Sequence, residues 1–304
     1  MRAVVATGDR ALVRIEAIPP PVSGAGEVVV DVSAISVNRG ELHRLREAVP
    51  GWRPGWDFAG TVVTGDSAFR PGRRVVGIAG SGGAWAERVS VPADHLAPLP
   101  ADLDGETAAA LPVAGLTALR VLRLAGELAG RRVLVTGAAG GVGRFAVQLA
   151  AAGGASVTAA VRGASRASGL SALGAVHVLV HPTAAPGDFD LVLESAGGDS
   201  LACALDRVAP HGLVVTFGSS SRAPTTVDVA RFYPKQAVLR GYYLLEDLRV
   251  RPPAGDLAEL VALAARGHLR VDLGAVGGVD ELPEVLHALA ERRLAAGKAV
   301  LRMR

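Results

Sequence analysis

The chain has 304 residues, half of them apolar, which is enough for two domains that each bury a hydrophobic core. Its formal net charge is only +3, its arginines are scattered among acidic residues, and aromatic residues make up 4% of it, which argues against nucleic-acid binding. The N-terminus lacks the apolar core of a signal peptide, and no apolar run reaches the roughly 18 residues that cross a membrane. The single cysteine, Cys203, cannot form an internal disulfide. We therefore expect a cytoplasmic protein with no membrane segment.

The first hundred residues are predicted to form a small, irregular β-barrel. Six short runs of apolar and β-branched residues, bounded mostly by glycine and proline, are predicted to be strands: 2–6, 11–16, 28–34, 58–64, 74–78 and 85–91. A more polar segment, 37–57, interrupts them. From residue 105 the pattern turns helical, and helices are predicted at 106–111 and 116–124.

The most informative stretch is 131–151, RRVLVTGAAGGVGRFAVQLAA, which predicts a strand, a tight glycine-rich turn and a helix. A second apolar strand at 155–161 completes a βαβ unit. Glycines at such a turn let the backbone approach a pyrophosphate, whose oxygens the N–H groups at the helix start can bind. The turn departs from GxGxxG because Ala138 holds the first glycine position, and it lacks the GK[ST] ending of an ATP-binding loop. We expect a dinucleotide at the turn residues Gly137, Ala139, Gly140, Gly141 and Val142.

The end of the second strand indicates which dinucleotide is preferred. NAD-specific sites usually carry Asp or Glu roughly 20 residues after the turn, where the carboxylate accepts a hydrogen bond from the ribose 2′-OH. Arg162 stands in that place, Arg166 follows four residues later, and Ser165 adds a hydroxyl. These groups favour a 2′-phosphate, so NADPH is predicted over NADH. The alternative is that Arg162 is an ordinary solvated arginine.

Beyond residue 161, alternating helices and strands predict an open, mostly parallel sheet. A helix is expected at 166–173. Strands are expected at 176–181, 191–194, 213–217 and 238–244. The C-terminal part is predicted to contain a helix at 255–266, then a strand, a helix at 281–293 and a last strand at 298–303.

Motifs spread along nearly the whole chain resemble those of one family. They are Asn38 with Glu41, PGWD at 54–57 followed by AG at 59–60, PGRRV at 71–75, GAWAE at 83–87, LPVAGLTA at 111–118, the VTGAAGGVG turn, and GKAVL at 297–301. The sequence resembles a medium-chain dehydrogenase/reductase, and within that superfamily the zinc-independent quinone oxidoreductase branch. The resemblance implies an α/β protein in which residues 1–113 and 246–304 form a GroES-like β-barrel catalytic domain. A Rossmann domain with a doubly wound parallel sheet, 114–245, is inserted between them, and the active site is expected in the cleft between the two domains.

Zinc-dependent members of the superfamily hold the metal with Cys, His and Glu or Asp. This chain has Asn38 where the first cysteine would fall and Trp56 where the histidine would, and Asp57 alone cannot hold the ion. No metal is therefore expected. Without a Lewis acid, hydride addition to an activated C=C bond remains feasible. The resemblance implies that NADPH reduces a quinone or an α,β-unsaturated carbonyl compound.

The resemblance also implies roles for individual residues. Asn38 is expected to hydrogen-bond the substrate oxygen or the cofactor amide, unless it only fixes a local turn. His43 occupies a position at which relatives carry tyrosine and is the first candidate for the general acid, the alternative being a histidine on a helix surface. Further cofactor contacts are expected from Thr117, near the nicotinamide, and from Ser195, Gly218 and Ser219. The expected substrate pocket includes Trp52, Tyr242 and Tyr243, although the tyrosines could instead be core aromatics.

Two other functions stay open at this level. The fold could serve a biosynthetic pathway as a cyclase or isomerase, or the protein could bind NADPH without catalysis, for example as a redox sensor. Neither the substrate nor the oligomeric state follows from the sequence. The strand at 238–244 could pair edge to edge in a homodimer, as in relatives.

Overall fold

In the computed structural model, which describes residues 1–182, 187–294 and 297–303, the chain divides into two units. One comprises Met1–Leu116 and Leu245–Arg304, and the other comprises Thr117–Leu244. The domain boundaries expected from the sequence, after residues 113 and 245, remain predictions.

The strands and helices follow in chain order. The strands are β1 (Arg2–Ala6), β2 (Val13–Ala17), β3 (Glu27–Val37), β4 (Asp57–Thr64), β5 (Arg74–Ile78), β6 (Arg88–Pro92), β7 (Leu96–Pro98), β8 (Arg132–Thr136), β9 (Ser156–Val161), β10 (Ala175–Val180), β11 (Phe189–Glu194), β12 (Val208–Thr216), β13 (Val238–Gly241), β14 (Leu273–Gly278) and β15 (Lys298–Arg302). The helices are α1 (Arg39–Leu45), α2 (Gly105–Ala109), α3 (Pro112–Arg123), α4 (Gly141–Ala152), α5 (Asp199–Arg207), α6 (Val229–Phe232), α7 (Leu244–Asp247), α8 (Ala254–Ala265) and α9 (Leu282–Ala290). Among the described residues, no helix is both long and apolar enough to cross a bilayer.

The first unit is built around β3. In the described part of the chain its main sheet has the order β14-β15-β3-β4-β5-β7, β6 also pairs with β3, and β1 and β2 form a separate antiparallel pair. Apolar side chains such as Ile35, Phe58 and Trp85 fill the core. Strand β15 lies antiparallel to β3 with Ala299 opposite Val37, and β4 lies on the other side with Asp57 opposite Ser36. This register brings together the ends of three strands that are far apart in sequence.

The second unit is a parallel sheet, as expected. Its described strands have the order β10-β9-β8-β11-β12-β13. Helix α4 buries Phe145, Val147 and Ala150, and β8 is buried from Val133 to Thr136 because a central parallel strand is covered on both faces. The strand order reverses between β8 and β11. In open parallel sheets, ligands bind outside the carboxyl ends of the strands at such a reversal.

Two expectations for this unit are wrong in detail. Residues 166–173 do not form one helix but two short 3-10 turns, Ala164–Arg166 and Ser171–Leu173, because Gly169 between them has a left-handed backbone (φ +79°). Strand β13 ends at Gly241 rather than at 244, and α7 begins at Leu244 with two acidic residues in its first turn, where they favour a helix start. Helix α5 was not anticipated from the sequence.

Candidate functional site

The glycine-rich turn joins β8 to α4 and lies where the strand order reverses. Gly137 has φ +59°, and a Cβ on it would lie 2.7 Å from Ser195 Oγ. A Cβ on Gly143 would lie 2.5 Å from the Gly137 carbonyl oxygen and 2.6 Å from Ala138 Cα. These separations are too short for a side chain. The turn can therefore take this path only with glycine at both positions.

The start of α4 offers uncapped N–H groups. Gly140 is the N-cap residue and supplies no side chain. The first hydrogen bond of the helix runs from the Arg144 N–H to the carbonyl oxygen of Gly140, at 3.0 Å. The N–H groups of Gly141 and Val142 precede that bond, as at every helix start. Together with the positive end of the helix dipole they suit an anion. The turn thus fits the pyrophosphate of a dinucleotide.

Three further predicted cofactor residues lie beside this turn. Ser195 follows β11. Its N–H donates to Thr136 Oγ1 at 3.0 Å, and its hydroxyl donates to the Thr136 carbonyl oxygen at 3.3 Å. A Cβ on Gly218 would lie 3.2 Å from the Ser195 oxygen, and one on Gly197 would lie 2.5 Å from Ser219 Oγ. Ser195, Gly218 and Ser219 are therefore neighbours at the carboxyl ends of β11 and β12.

Glu194 supports this loop and was not anticipated as a site residue. Its buried carboxylate accepts hydrogen bonds from the Thr136 hydroxyl at 3.2 Å, the Ala196 N–H at 2.9 Å and the Gly197 N–H at 3.0 Å. These bonds fix the backbone that carries Ser195. The one sequence signal for it is an acidic side chain at the end of an otherwise apolar strand.

The residues predicted to select the cofactor follow β9. Arg162 comes directly after the strand, is exposed, and makes no hydrogen bond or ion pair with any described residue. Ser165 is exposed and Arg166 is half-buried, both within the short turn Ala164–Arg166. Arg162 is thus a positive group at the carboxyl end of the strand next to β8.

In the first unit, the ends of β3, β4 and β15 bring Asn38, Asp57 and Lys298 together. Lys298 Nζ donates to Asn38 Oδ1 and lies 3.2 Å from Asp57 Oδ2. Asp57 Oδ2 also accepts from Asn38 Nδ2 at 2.8 Å and from Ser36 Oγ at 2.6 Å, and its other oxygen accepts the Val113 N–H at 2.8 Å. The side chains of Asp57 and Lys298 are 0% and 4% exposed, so this is a buried ion pair.

This network fixes the orientation of the Asn38 amide. Its oxygen accepts from Lys298, and one of its two N–H groups is donated to Asp57. The second N–H is what remains for a ligand. Asn38 can therefore act toward a ligand as a donor to an acceptor such as a carbonyl oxygen. Lys298 was not singled out from the sequence, although it is one of only two lysines in a chain rich in arginine.

Glu41 lies against this cluster from α1 and is fully buried. Its two oxygens accept the Asn38 N–H at 2.7 Å and the Trp56 N–H at 2.6 Å. Burial, and then the negative charge of Asp57, raise the pKa of Glu41 from 4.5 to about 8, against the lowering effect of the two N–H groups and Lys298. Glu41 therefore holds a proton near neutral pH.

We expect the wild type to lose stability relative to the Glu41→Gln variant as the pH rises from 4.5 to about 8, by roughly 1.4 kcal/mol per pH unit. The unfolded chain releases the Glu41 proton near pH 4.5, whereas the folded chain keeps it to about pH 8, so the wild type loses stability across this window. A glutamine does not titrate, and its single oxygen leaves one buried N–H unpaired, a loss of about 1–3 kcal/mol at the acid end. Urea unfolding at several pH values measures the difference. The variant is therefore expected to be the more stable of the two near pH 8, and a wild type that gains stability relative to the variant as the pH rises would contradict this assignment.

The predicted proton donor and one pocket residue lie nearby in the chain. His43 is in the last turn of α1 and is exposed. Trp52 is half-buried, and the Arg44 guanidinium lies 5.4 Å from the centre of its ring. The structure thus places His43 on the open face of α1, while Glu41 occupies the buried face.

The remaining predicted residues belong to the second unit. Thr117 is buried in α3. Tyr242 follows β13 and donates its N–H to the Thr216 oxygen at 2.8 Å, and Tyr243 is exposed. Tyr243 is therefore not a core aromatic, whereas Tyr242 is half-buried, and the role of both in a substrate pocket stays a prediction.

Within residues 1–182, 187–294 and 297–303, no group of three or more His, Cys, Asp or Glu side chains is placed to hold a metal ion. Asp57 is engaged by Lys298 and Asn38. The Trp56 ring packs against Gly40, where a Cβ would lie 2.8 Å from it.

Two family models match the chain. The model described as "Alcohol dehydrogenase GroES-like domain" matches residues 24–101, and the model described as "Zinc-binding dehydrogenase" matches residues 141–265. The described residues of this chain contain no zinc-ligand cluster of the kind that the second description names.

Similar proteins of known description cover most of the chain. It is 31% identical to a quinone oxidoreductase of Pseudomonas aeruginosa over 77% of its own length and 76% of the relative's. It is 30% identical to prostaglandin reductase-3 of Mus musculus over 84% of its length and 74% of the relative's. Its fold is similar to that of mycobacterial Rv1454c complexed with NADPH, with a TM-score of 0.88, 26% identity, and coverage of 99% of this chain and 100% of that one.

Proposed function

Because the chain belongs to the medium-chain dehydrogenase/reductase superfamily, in its quinone oxidoreductase-like branch, we propose that it is a zinc-independent, NADPH-dependent reductase of a quinone or an α,β-unsaturated carbonyl compound. The observation that carries the proposal is the turn between β8 and α4, which requires glycine and suits a pyrophosphate. Support comes from relatives named quinone oxidoreductase and prostaglandin reductase, and from the similar structure complexed with NADPH.

The cofactor is assigned to the second unit. The pyrophosphate would be held by the turn, and Ser195, Gly218 and Ser219 would contact the cofactor along the strand ends. The positive charge of Arg162, with Ser165 and Arg166, would pair with the 2′-phosphate. Thr117 is assigned to the nicotinamide end. When bound, NADPH supplies the hydride.

The polar groups that act on the substrate are assigned to the first unit. The unpaired N–H of Asn38 donates to the substrate oxygen and stabilises the negative charge that develops there when hydride adds to the conjugated system. Lys298 and Asp57 keep that N–H in position. A proton then reaches the substrate from His43 or from water, with His43 favoured because a histidine side chain is a common general acid.

The test is to mix the enzyme with NADPH and a panel of 1,4-quinones and enones and to follow the absorbance at 340 nm. We expect NADPH oxidation with at least one class of acceptor. Tight NADPH binding without oxidation across the panel would favour a cyclase, an isomerase or a non-catalytic NADPH-binding protein. Stoichiometric zinc in protein purified without added metal would overturn the zinc-independent assignment.

His43→Phe is expected to lower kcat about a hundredfold, the lower range for loss of a general acid, while NADPH affinity stays unchanged. The matched control is Arg46→Met, an exposed position just after α1. Steady-state kinetics over pH 5–9 measures both. Undiminished turnover in the His43 variant would show that His43 is not the proton donor and would leave water as the proton source.

Strand β13 supports the expected homodimer. It is the outermost described strand of its sheet, and Val238 and Leu239 on it are 53% and 43% exposed. An apolar edge strand with unpaired backbone groups favours pairing with a second copy. Light scattering of the purified protein tests the dimer, and a monomer at micromolar concentration would contradict it.

A further inference from the structure

Two buried side-chain atoms among the described residues have no hydrogen-bond partner, and both belong to the segment Arg53–Trp56. They are Arg53 Nε and Trp56 Nε1. Leaving such a donor buried and unpaired destabilises the folded chain, and more so when the group is charged. Native structures contain few such groups, and each calls for an explanation.

The indole of Trp56 is buried in the first unit. The side chain is 4% exposed. Its backbone N–H is donated to Glu41 at 2.6 Å, and its carbonyl accepts the Ala79 N–H at 2.8 Å. The ring packs against Gly40, where there is no room for a Cβ. The unpaired N–H thus lies in a packed environment.

Arg53 is half-buried and has no counter-ion. It makes no hydrogen bond or ion pair within the described residues. Its Nη2 would lie 3.4 Å from a Cβ on Gly83, and its carbonyl oxygen 2.6 Å from a Cβ on Gly82, where φ is +95° and +99° respectively. A loop without side chains therefore leaves room for the arginine.

We propose that the segment Arg53–Trp56 binds oxygen atoms of the substrate. Trp56 Nε1–H donates to a carbonyl oxygen and the Arg53 guanidinium pairs with an anionic group, so the preferred substrates are anionic quinones or enones. This inference rests on the proposed function for the identity of the reacting carbonyl. Both unpaired atoms are donors, so the missing partner must supply acceptors, and a guanidinium pairs best with a carboxylate, sulfonate or phosphate.

The position of the segment agrees with this role. Trp56 directly precedes Asp57, which orients the Asn38 amide. The indole N–H and the available Asn38 N–H therefore belong to the same end of the sheet formed by β3, β4 and β15. Because neither Arg53 Nε nor Trp56 Nε1 is open to water, the ligand must displace side chains that cover them, a change that is common on binding.

The first experiment compares a negatively charged quinone with an uncharged quinone of nearly the same structure. The substrates are a trimethylbenzoquinone that bears a propionate side chain and the methyl ester of the same compound, which have similar redox properties. Arg53→Met is expected to raise KM for the acid about tenfold while KM for the ester changes less than about twofold. Arg46→Met removes the same charge from an exposed site and is expected to change neither. Equal effects of Arg53→Met on both quinones, or no effect, would overturn the assignment.

The second experiment observes the indole directly. The chain has three tryptophans, so a ¹H–¹⁵N spectrum contains three indole N–H signals, and Trp56→Phe identifies one of them. With NADP⁺ and the propionate quinone, which do not react together, the Trp56 signal is expected to move downfield. Trp85, whose Nε1 already donates to the Ser36 oxygen at 3.3 Å, is the internal control and is expected not to move. A stationary Trp56 signal at saturating quinone would contradict the proposal.

The Trp56→Phe variant separates substrate binding from packing. Phenylalanine keeps an aromatic ring and removes the unpaired donor, so the variant is expected to stay folded but to have a KM for both quinones several-fold higher. Unchanged KM values would mean that the N–H serves no ligand. If no quinone is reduced by NADPH yet the Trp56 signal moves, the proposed reductase function fails while the binding role of this segment stands.

Discussion

Lys298→Met is expected to lower the free energy of unfolding by about 3–5 kcal/mol, the loss typical of removing one partner from a buried ion pair. The substitution leaves the fully buried Asp57 carboxylate without its cation and the Asn38 oxygen without its donor. It also frees the Asn38 amide to rotate, so NADPH oxidation by the proposed reductase should fall even under conditions where the variant stays folded. Urea unfolding at pH 7, followed by circular dichroism, measures the first effect.

The other lysine of the chain provides a matched control. Lys235 donates to the carbonyl oxygens of Leu205, Asp206 and Val208 near the end of α5 and has no carboxylate partner among the residues that the structure describes. Lys235→Met should lower the free energy of unfolding by only about 1–3 kcal/mol, because it leaves hydrogen-bond acceptors unpaired but strips no buried carboxylate of its cation. If Lys298→Met proves no more destabilising than Lys235→Met, the ion pair does not hold the three strand ends together.

Gly143→Ala is expected to weaken NADPH binding by about tenfold to a hundredfold, because forcing an extra methyl group into a packed site typically costs 1–3 kcal/mol. The added Cβ would lie 2.5 Å from the Gly137 oxygen and 2.6 Å from Ala138 Cα, so the turn must open and its N–H groups must move apart. Titration of NADPH fluorescence measures the affinity.

Gly255→Ala is the control for this substitution. Gly255 lies in the first turn of α8, where a Cβ would meet nothing within 4 Å. The control variant should bind NADPH as the wild type does and unfold at a slightly higher denaturant concentration. A Gly143 variant that is folded and binds NADPH with unchanged affinity would show that the turn does not cradle the pyrophosphate.

The part of the site that could be predicted from the sequence is local. The strand, turn and helix at 131–151 are consecutive, and the structure has β8 at Arg132–Thr136 and α4 at Gly141–Ala152. The demand for glycine at Gly137 and Gly143 follows from the same short segment. A pattern of this kind needs no information from the rest of the chain.

The cluster around Asn38 could not be predicted because it depends on strand register. Lys298 and Asn38 are 260 residues apart and meet only because β15 lies antiparallel to β3 with Ala299 opposite Val37. Periodicity predicts that both segments are strands but not which residues face each other. The unpaired donors of Arg53 and Trp56 are also invisible in the sequence, since they are defined by the partners that the fold fails to provide.

The errors at 166–173 and 238–244 have related causes. The first segment has a helical composition, but Gly169 adopts a left-handed backbone and divides it. In the second, the apolar run continues past Gly241 through two tyrosines and two leucines, and a short apolar run does not distinguish a strand from a helix. Tertiary contacts decide between the two.

The central claim is that the second unit binds NADPH, with its pyrophosphate on the turn after Thr136 and its 2′-phosphate against Arg162. The most direct measurement is a parallel fluorescence titration of the wild type and the Arg162→Ala variant with NADPH and NADH. We expect the wild type to bind NADPH at least about tenfold more tightly than NADH, and the variant to lose most of that preference, because the guanidinium interacts only with the phosphorylated ribose. Equal or tighter binding of NADH by the wild type, or no binding of either nucleotide, would contradict the claim.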